Sequence, residues 1–461
     1  MSEQRNRKNS RSRMEHMIAT LRMDIITNKR KEGQFLPSER ELAKQFHLSN
    51  KLVRLALEQL AAEGLIVKIP RVGNKIAESS PAKPVHVRFG YHSSLGYDAE
   101  IEQLLAAFHK RYPGIVIQPL QLSYDNYEHT VIEYMESGLL DVITMNFSNF
   151  NHFVTEKITG LLHPMDENPA VYPLLTTAFQ HEGRLMVQPF IFSPLVICYN
   201  RRHLQELQLE LPLQPRSWEE LLHIASRLTV ENSRFGFYYS LHSRNRWPVF
   251  LLQSGLKFHA EAGRFEEAVE RIIEGLNLCR EIIYAPNTFP IFLSESDADA
   301  EQLFVQEKVS VIMTSLFAMN RLKGSGIPFD VAPLPVLREN KTILLSIGLA
   351  ISNKSEVKAA ALKLVEFFLS MDAQSLIKQN TYGFPAVLDT PDPGQSEGLY
   401  RPPHIGEILG NQPAYHVFQE LNLNQNEINA IYREARMYWA KLLTEEELRD
   451  RISAILSKRG E

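Results

Sequence analysis

The feature that most constrains the N-terminal part of the chain is the run Leu36–Ala43, with the sequence LPSERELA. Ser38 can cap a helix, and Glu41, three residues later, can accept a hydrogen bond from the Ser38 amide, which together form a capping box. A second helix opens at Ser49, with apolar residues at helical spacing behind it. Two short helices this close together predict a helix-turn-helix, whose second helix enters the major groove of DNA.

Charge is divided unevenly along the chain. Of the 50 Lys+Arg and 54 Asp+Glu residues, 16 and 9 lie in residues 1–80. This segment therefore has a net charge of +7, and the remaining 381 residues have a net charge of −11. A basic head on an acidic body predicts that only the head binds a polyanion.

The residues around the helix-turn-helix predict a winged helix. An amphipathic pattern from Met14 predicts a first helix to about residue 28, and we expect residues 1–13 to be unstructured. Leu65–Ile69 and Lys75–Ala77 predict two strands joined by a basic turn that contains Gly73. Three helices and a hairpin make a winged helix.

Residues 14–77 resemble the winged-helix domain of GntR-type bacterial transcription regulators. The resemblance is carried by the LPSEREL run, the segment Val53–Leu57, Glu63–Leu65 and the wing glycine. It implies an operator of double-stranded DNA, palindromic and bound by a homodimer. The DNA contacts that the resemblance and the basic wing imply are Arg40, Ser49, Asn50, Lys51, Arg54, Lys68, Arg71, Gly73 and Lys75.

Three residues of the second helix depart from the usual family pattern. Asn50 replaces an Arg, Leu52 replaces a Thr and Leu55 replaces a Glu. Asn50 can read an adenine edge and Leu52 can contact a thymine methyl group. The alternative is that Leu52 and Leu55 pack against another protein surface.

Residues 79–84 are small, polar and proline-bearing, which predicts a linker between a head (1–78) and a body (85–461). The body begins with strands at Val85–Tyr91, Ile115–Ile117 and Leu139–Met145, separated by helical patterns. This alternation predicts an α/β fold with a largely parallel sheet. Ligands bind beyond the carboxyl ends of such strands, which singles out His92–Tyr97, Ser123–Tyr124 and Asn146–Asn149.

The body resembles bacterial extracellular solute-binding proteins of the maltose-binding type. Segments that match the family in order are Gly160–Asp166, Leu195–Asn200, Ser217–Leu222 with a capping box, Phe304–Met313 as a return strand, Phe329–Pro335 and Lys358–Leu369. In the return strand, Glu307 stands where the family usually has Gly.

This resemblance implies a two-lobed α/β domain, of the type II periplasmic-binding-protein-like kind, that closes on a small molecule. Lobe one is expected at 85–191 and 314–345, and lobe two at 192–313 and 346–461. The hinge is expected near Phe192–Ser193, Met313–Ser315 and Ser346–Gly348. From Ala414 onward we expect helices packed on lobe two, one of them with a capping box formed by Thr444 and Glu447.

A sugar site needs aromatic faces for the apolar side of the ring and polar groups for its hydroxyls. Each candidate side chain also has an ordinary interpretation as a packing residue. The candidates are Tyr97, Tyr124, Asn146, Phe147, Ser148, Phe192, Ser193, Arg244, Trp247, Phe317 and Tyr382.

Other functions have less support in the sequence. The histidines and the two cysteines, Cys198 and Cys279, show no metal-ligand spacing, and no catalytic motif occurs, so we expect no cofactor, no metal and no enzyme activity. No apolar run is long enough to span a bilayer and residues 1–13 are not a secretory signal, so we expect a cytoplasmic protein without a membrane partner.

The predicted function is therefore a ligand-responsive transcription regulator with a small-molecule effector, favoured to be a sugar or oligosaccharide. Two alternatives remain open. One is a winged-helix regulator fused to a pyridoxal-phosphate aminotransferase-like domain. The other is a solute-binding protein that serves a transporter.

Overall fold

The computed structural model describes residues 2–26, 29–31, 33–70, 72–77, 84–123, 126–258, 265–286, 288–290, 298–391 and 399–458, with side chains from Arg13 onward. Residue contacts divide the chain into two compact units. One contains residues 1–86 and 112–116, and the other contains residues 87–111 and 117–461.

The head is a winged helix, as the sequence predicts. Its elements are α1 (Ser2–Ile26), α2 (Glu39–Gln45), α3 (Asn50–Ala62), β1 (Ile66–Ile69) and β2 (Gly73–Ile76). The capping box at the start of α2 is present: the Glu41 amide donates to Ser38 Oγ at 3.3 Å, and the Ser38 amide donates to Glu41 Oε2 at 2.8 Å. Ser38 thereby satisfies an N–H group that no intrahelical acceptor can reach.

One small core holds these elements together. Buried apolar side chains from α1, α2, α3 and both strands meet in it, among them Met17, Leu21, Leu42, Val53 and Leu57. The hairpin pairs antiparallel, and Phe35 forms an isolated antiparallel bridge with Lys75.

Helix α1 begins at Ser2, whereas the sequence pattern predicted a helix only from Met14. Most residues of the basic extension, such as Glu3, Gln4, Arg5 and Lys8, are good helix formers. A helix nucleated by the packed part of α1 can therefore propagate into this polar segment.

The body is built on one mixed sheet of eleven strands. The strands are β3 (Val85–His92), β4 (Ile115–Leu122), β5 (Val142–Asn146), β6 (Leu162–His163), β9 (Gln188–Asn200), β10 (Phe235–Tyr238), β11 (Val309–Ser315), β12 (Phe329–Ala332), β13 (Thr342–Ser352), β14 (Phe384–Pro385) and β15 (Tyr415–His416). A separate hairpin consists of β7 (Gln180–His181) and β8 (Arg184–Leu185).

Helices cover the sheet. The described helices are α4 (Leu95–Asp98), α5 (Ile101–Arg111), α6 (Tyr127–Glu136), α7 (Phe147–Thr155), α8 (Pro173–Ala178), α9 (Arg201–Glu206), α10 (Trp218–Leu228), α11 (Val249–Gln253), α12 (Phe265–Tyr284), α13 (Asp299–Val305), α14 (Leu316–Met319), α15 (Lys358–Phe368), α16 (Met371–Asn380), α17 (Ile405–Gly410), α18 (Gln425–Trp439) and α19 (Glu445–Ser457).

Two long strands at the centre of the sheet run through both lobes. The main strand order is β10-β11-β9-β13-β5-β3-β4, and β9 and β13 pair antiparallel. Every residue of β9 is buried. At Gly348 a β-carbon would lie 2.7 Å from the Gln188 carbonyl oxygen, so this crossing requires glycine.

The two lobes are the two ends of this sheet, and their membership differs from the expected division. Residues Ile347–Ile351 of β13 pair with β5, and α15 packs on α5, so this part of the chain belongs to lobe one rather than lobe two. Strand β12 pairs with Ile197–Asn200 of β9 and belongs to lobe two. The division differs because β9 crosses from lobe one to lobe two, and β13, which runs antiparallel to β9, crosses back to lobe one.

The expected return strand Phe304–Met313 is only partly a strand. Phe304 lies in α13, and β11 begins at Val309. Between them Glu307 has a φ of 58°, the left-handed conformation in which glycine is usual. Its carboxylate accepts hydrogen bonds from Asn200 and Arg202.

Two other capping predictions have different outcomes. Thr444 and Glu447 form a complete capping box at α19, which packs against α12 and α18 of lobe two. At α10 only half of the box forms: Ser217 Oγ accepts from the Glu220 amide, but the Glu220 carboxylate accepts from the Arg216 amide instead.

A buried carboxylate ties the strands of lobe one together. Asp141 is fully buried; it accepts hydrogen bonds from the Arg88 guanidinium at 2.8 and 2.9 Å and from Ser355 Oγ at 2.7 Å. Burial by itself raises the pKa of Asp141, but the hydrogen bonds from Arg88 and Ser355 outweigh burial and lower it.

We predict that Asp141→Ala destabilises the body by about 3 kcal/mol at pH 7, because it leaves the donors of Arg88 and Ser355 without their acceptor. A lowered carboxyl pKa stabilises the fold above the ordinary aspartate pKa of 3.8, and this stabilisation is lost as the pH falls through the folded-state pKa. Urea unfolding at pH 7 and below pH 4 measures both effects. The matched control is Asp372→Ala, which removes an exposed partner of Arg111 and is expected to cost less than about 0.5 kcal/mol. Equal losses for both variants would contradict the assigned role.

Candidate functional site

The outer face of α3 presents a polar and partly basic surface. Val53, Ala56 and Leu57 point into the head core, and the exposed positions of the same helix include Lys51 and Arg54. Ser49 caps the helix through a hydrogen bond from the Leu52 amide. The exposed face of α3 is therefore polar, with two cations, Lys51 and Arg54, and one carboxylate, Glu58.

Ion pairs hold two basic side chains beside this face. Arg54 Nε donates to Glu39 Oε2 at 2.7 Å, which joins α3 to the start of α2. Lys68 Nζ lies 3.3 Å from Glu58 Oε1 and joins the wing to α3. The Glu39 carboxylate raises the pKa of Arg54 above its ordinary value, so the guanidinium is charged at every physiological pH.

Seven of the nine predicted DNA-contacting residues are exposed on the head, and DNA contact itself stays a prediction. The exposed ones are Arg40, Ser49, Asn50, Lys51, Arg54, Lys68 and Gly73. Lys75 is half-buried opposite Val67 in the hairpin, and Arg71 lies outside the described residues.

A cavity with a volume of about 140 Å³ lies between the two lobes of the body. Lobe one contributes His92, Ser94, Asp98, Thr144, Met145, Asn146, Phe147, Ser148, Asn149 and Asn151. The segments that cross between the lobes contribute Phe317 and residues 343–347, and lobe two contributes Arg244, Asn245, Phe418, Gln419, Gln425 and Ile428.

The lobe-one wall is organised by the start of α7. Asn146 is the last residue of β5 and the N-cap of α7, and it forms a capping box with Asn149. The side-chain Nδ2 of Asn149 donates to Glu128 Oε1 at 2.9 Å. These bonds keep Phe147 and Ser148 at the cavity wall, where the carboxyl end of a strand meets the N-terminus of a helix.

His92 and Asp98 at the cavity are linked through Ser94. The Ser94 amide donates to His92 Nδ1 at 3.1 Å, and Ser94 also hydrogen-bonds Asp98. Burial lowers the pKa of His92 to about 4, against an opposing effect of Glu128. Burial raises the pKa of Asp98 to about 6, against the opposing effects of Ser94 and of the positive charges of Arg321, Lys323 and Arg246.

Five of the predicted ligand-binding residues line this cavity: Asn146, Phe147, Ser148, Arg244 and Phe317. Tyr97 does not; its side chain is 61% exposed beside Arg321. Tyr124 lies outside the described residues.

The other four predicted ligand residues lie in the packed interior. Trp247 is fully buried and stacks on Tyr432 at 5.6 Å. Phe192 packs against Phe384 and Tyr415, and Tyr382 donates its hydroxyl hydrogen to the Tyr400 carbonyl. Ser193 Oγ is used within the crossing segments, where it accepts from the Phe317 amide at 3.4 Å. These four side chains therefore lie where packing residues are expected, and they do not line the cavity.

Several cavity residues were missed by the sequence prediction. His92 ends β3 and Ser94 follows it; both lie in a segment that the strand-end argument had singled out, but neither was named as a ligand candidate. Phe418, Gln419 and Gln425 come from the C-terminal part of the chain, and no strand-end pattern marks them. Residues Phe418–Leu421 form a short 3-10 helix that packs on α11, and α18, which begins at Gln425, packs on α12 of lobe two and on α7 of lobe one.

Within the described ranges, no group of three His, Cys, Asp or Glu side chains could hold a metal ion, and no helix is long and apolar enough to cross a membrane. Both cysteines are buried and reduced.

Two family profiles match the chain. The profile of bacterial extracellular solute-binding proteins matches residues 92–375, and the profile of bacterial regulatory proteins of the gntR family matches residues 13–76. Both families are non-catalytic, which excludes the aminotransferase alternative.

Curated relatives resemble the body at low identity. A maltotriose-binding protein of Pyrococcus abyssi is 21% identical over 191 residues, 40% of this chain and 40% of that protein. The chain thus spans well under half of its length. The putative ABC transporter periplasmic-binding protein YcjN of Escherichia coli is 21% identical over 302 residues, 61% of this chain and 68% of that protein.

Solved structures share the fold. An ABC substrate-binding protein of Listeria monocytogenes in complex with cycloalternan has a TM-score of 0.68 at 18% identity, covering 82% of this chain and 99% of that chain. Maltose-bound MalE3 of T. maritima has a TM-score of 0.69 at 19% identity, covering 81% of this chain and 100% of that chain.

We predict that His92 and Asp98 give opposite pH dependences of stability. A raised Asp98 pKa makes stability fall as the pH rises from about 4 to about 6, whereas a lowered His92 pKa makes stability rise between about 4 and 6.5. In the wild type the two effects largely cancel. We therefore expect the free energy of unfolding of Asp98→Asn to rise by about 2 kcal/mol between about pH 4 and about pH 6. For His92→Gln we expect it to fall by a similar amount over the same range.

Urea unfolding of both variants at half-unit pH steps measures these slopes. Asp372→Asn, on the surface, is the control and should follow the wild type. If the two cavity variants had slopes of the same sign, the assignment of the two pKa shifts would be wrong.

Proposed function

Because the chain belongs to the bacterial extracellular solute-binding protein family and carries a gntR-family domain at its N-terminus, we propose that it is a ligand-responsive transcription regulator. The observation that carries the proposal is the presence of two separate sites in one chain. One is the exposed basic face of α3 in the head, and the other is the cavity between the two lobes of the body.

The head is proposed to bind double-stranded DNA through α3 and the wing. Phosphate contacts from lysine and arginine supply most of the affinity, and contacts with base edges supply the specificity. Asn50 and Lys51 are exposed in the first turn of α3, the part of a recognition helix that reaches base edges. A homodimer would place two such helices on the two halves of a palindromic operator.

The cavity is proposed to bind a sugar or oligosaccharide. Phe147, Phe317 and Phe418 provide aromatic faces for the apolar side of a sugar ring. Asn151, Asn245, Gln425 and other amide side chains can both donate to and accept from hydroxyl groups. Maltose, maltotriose and cycloalternan, named among the relatives, are the first compounds to test.

Ligand binding is proposed to change DNA affinity by favouring one arrangement of the lobes. A ligand that contacts both lobes binds a closed arrangement more tightly than an open one, and it shifts the population by that difference. Such a protein would act in the cytoplasm. Cell fractionation that located the chain outside the cytoplasm would instead favour the transporter-serving alternative.

We predict that Phe317→Ala weakens binding of the active sugar about tenfold, because an aromatic face is removed from the cavity wall. Isothermal titration calorimetry against the three compounds measures the loss. Tyr97→Ala is the matched control: Tyr97 is exposed and outside the cavity, so the affinity should not change. If none of the sugars shifts either thermal stability or operator affinity, sugar sensing is wrong.

We predict that Arg54→Ala weakens operator binding by up to about a hundredfold, whereas Asn50→Ala changes sequence preference more than overall affinity. The Arg54–Glu39 pair is exposed to solvent and contributes little to stability, so the head should stay folded. Fluorescence anisotropy on selected and scrambled duplexes, with circular dichroism as the folding check, separates the two effects. If both variants lost the same affinity on the selected and the scrambled duplexes, the assigned roles would be contradicted.

A further inference from the structure

The two leucines that depart from the usual pattern of the recognition helix have different environments. Leu52 is half-buried and packs against the head core. Leu55 is 47% exposed. It lies one residue after Arg54 and one turn after Lys51, on the outer face of α3.

Leu55 has charged neighbours along the same helix. Arg54, the preceding residue, donates to Glu39 at 2.7 Å, and Glu58, nearly one turn further along α3, is paired with Lys68 of the wing at 3.3 Å. Each of these two carboxylates has a cation as its partner. The exposed face of α3 therefore presents one apolar side chain among polar and charged ones.

The charge of the head indicates what covers this leucine. Residues 1–80 have a net charge of +7, so a second copy of the head would be repelled and a polyanion attracted. Leucine carries no hydrogen-bond donor or acceptor. On a base edge in the major groove, the apolar group is the C5 methyl of thymine.

We propose that Leu55 determines sequence specificity by contacting the C5 methyl group of a thymine in each operator half-site. This inference rests on the proposed operator binding, and it assigns to Leu55 the contact that sequence analysis had assigned to Leu52. The same geometry accepts 5-methylcytosine, which carries the same methyl group at the same place.

The test uses the full chain and an operator obtained by selection from random duplexes. Each thymine is replaced in turn by deoxyuridine, which removes only the methyl group. One position per half-site should then bind about fourfold more weakly, the change expected for one buried methyl group. Replacing that T·A pair by C·G should weaken binding further, and 5-methylcytosine at the same place should recover about fourfold.

The variant Leu55→Ala should bind the thymine and deoxyuridine operators equally. Leu52→Ala is the matched control and should keep the wild-type preference for thymine. For each variant, the measured quantity is the ratio of its affinities for the thymine and deoxyuridine duplexes. Because these duplexes differ by one methyl group, a general loss of stability or of charge contacts affects both affinities equally and cancels from the ratio.

The outcomes are distinguishable. Two outcomes would overturn this inference alone, provided that a clear operator is selected. In the first, no replacement of thymine by deoxyuridine changes the affinity. In the second, Leu55→Ala keeps the wild-type preference for thymine. A shift of Leu55→Ala to a smaller oligomer with its thymine preference intact would also overturn it, because Leu55 would then contact protein. Failure to select any sequence would overturn the proposed operator binding together with this inference.

Discussion

The antiparallel pairing of β9 with β13 is the interaction on which the body depends. Both strands pass through both lobes, so the lobes share one sheet rather than a flexible linker. Side chains reinforce the crossing: Ser346 Oγ donates to the Ile191 carbonyl at 3.0 Å and Thr342 Oγ1 to the Leu195 carbonyl at 2.9 Å. The cavity lies beside this crossing, where residues 343–347 form part of its wall.

This construction explains the chemistry of the cavity. At the cavity wall beside this crossing, burial lowers the pKa of His92 and raises the pKa of Asp98, which favours the uncharged form of each side chain. Apart from Asp98, whose pKa of about 6 leaves it mainly ionised at pH 7, and the exposed Arg244, the polar side chains of the wall are mostly hydroxyl and amide groups. Such a wall suits a neutral polyhydroxylated ligand better than an ionic one.

The sequence predicted local structure well where neighbouring residues satisfy each other. The capping boxes at Ser38 and Thr444 formed as expected, since both partners are three residues apart. Prediction failed where another nearby donor competes or where the direction of a strand matters. Glu220 turned to the Arg216 amide, and β13 carried residues 346–352 back to lobe one, which changed the division of the lobes. Among the predicted ligand residues, strand-end positions such as Asn146 reached the cavity, whereas Trp247 was taken up by a core of aromatic rings.

By itself, the sequence determined that a basic winged helix precedes an α/β body of the solute-binding kind, because hydrophobic periodicity, capping residues and charge distribution are properties of neighbouring residues. Only the tertiary structure decided which side chains line the cavity and that Leu55, not Leu52, is exposed on the recognition helix. Those outcomes depend on what packs against each side chain, and the partners lie far away along the chain. A leucine at helical spacing is equally consistent with a core and with a surface until its neighbours in space are known.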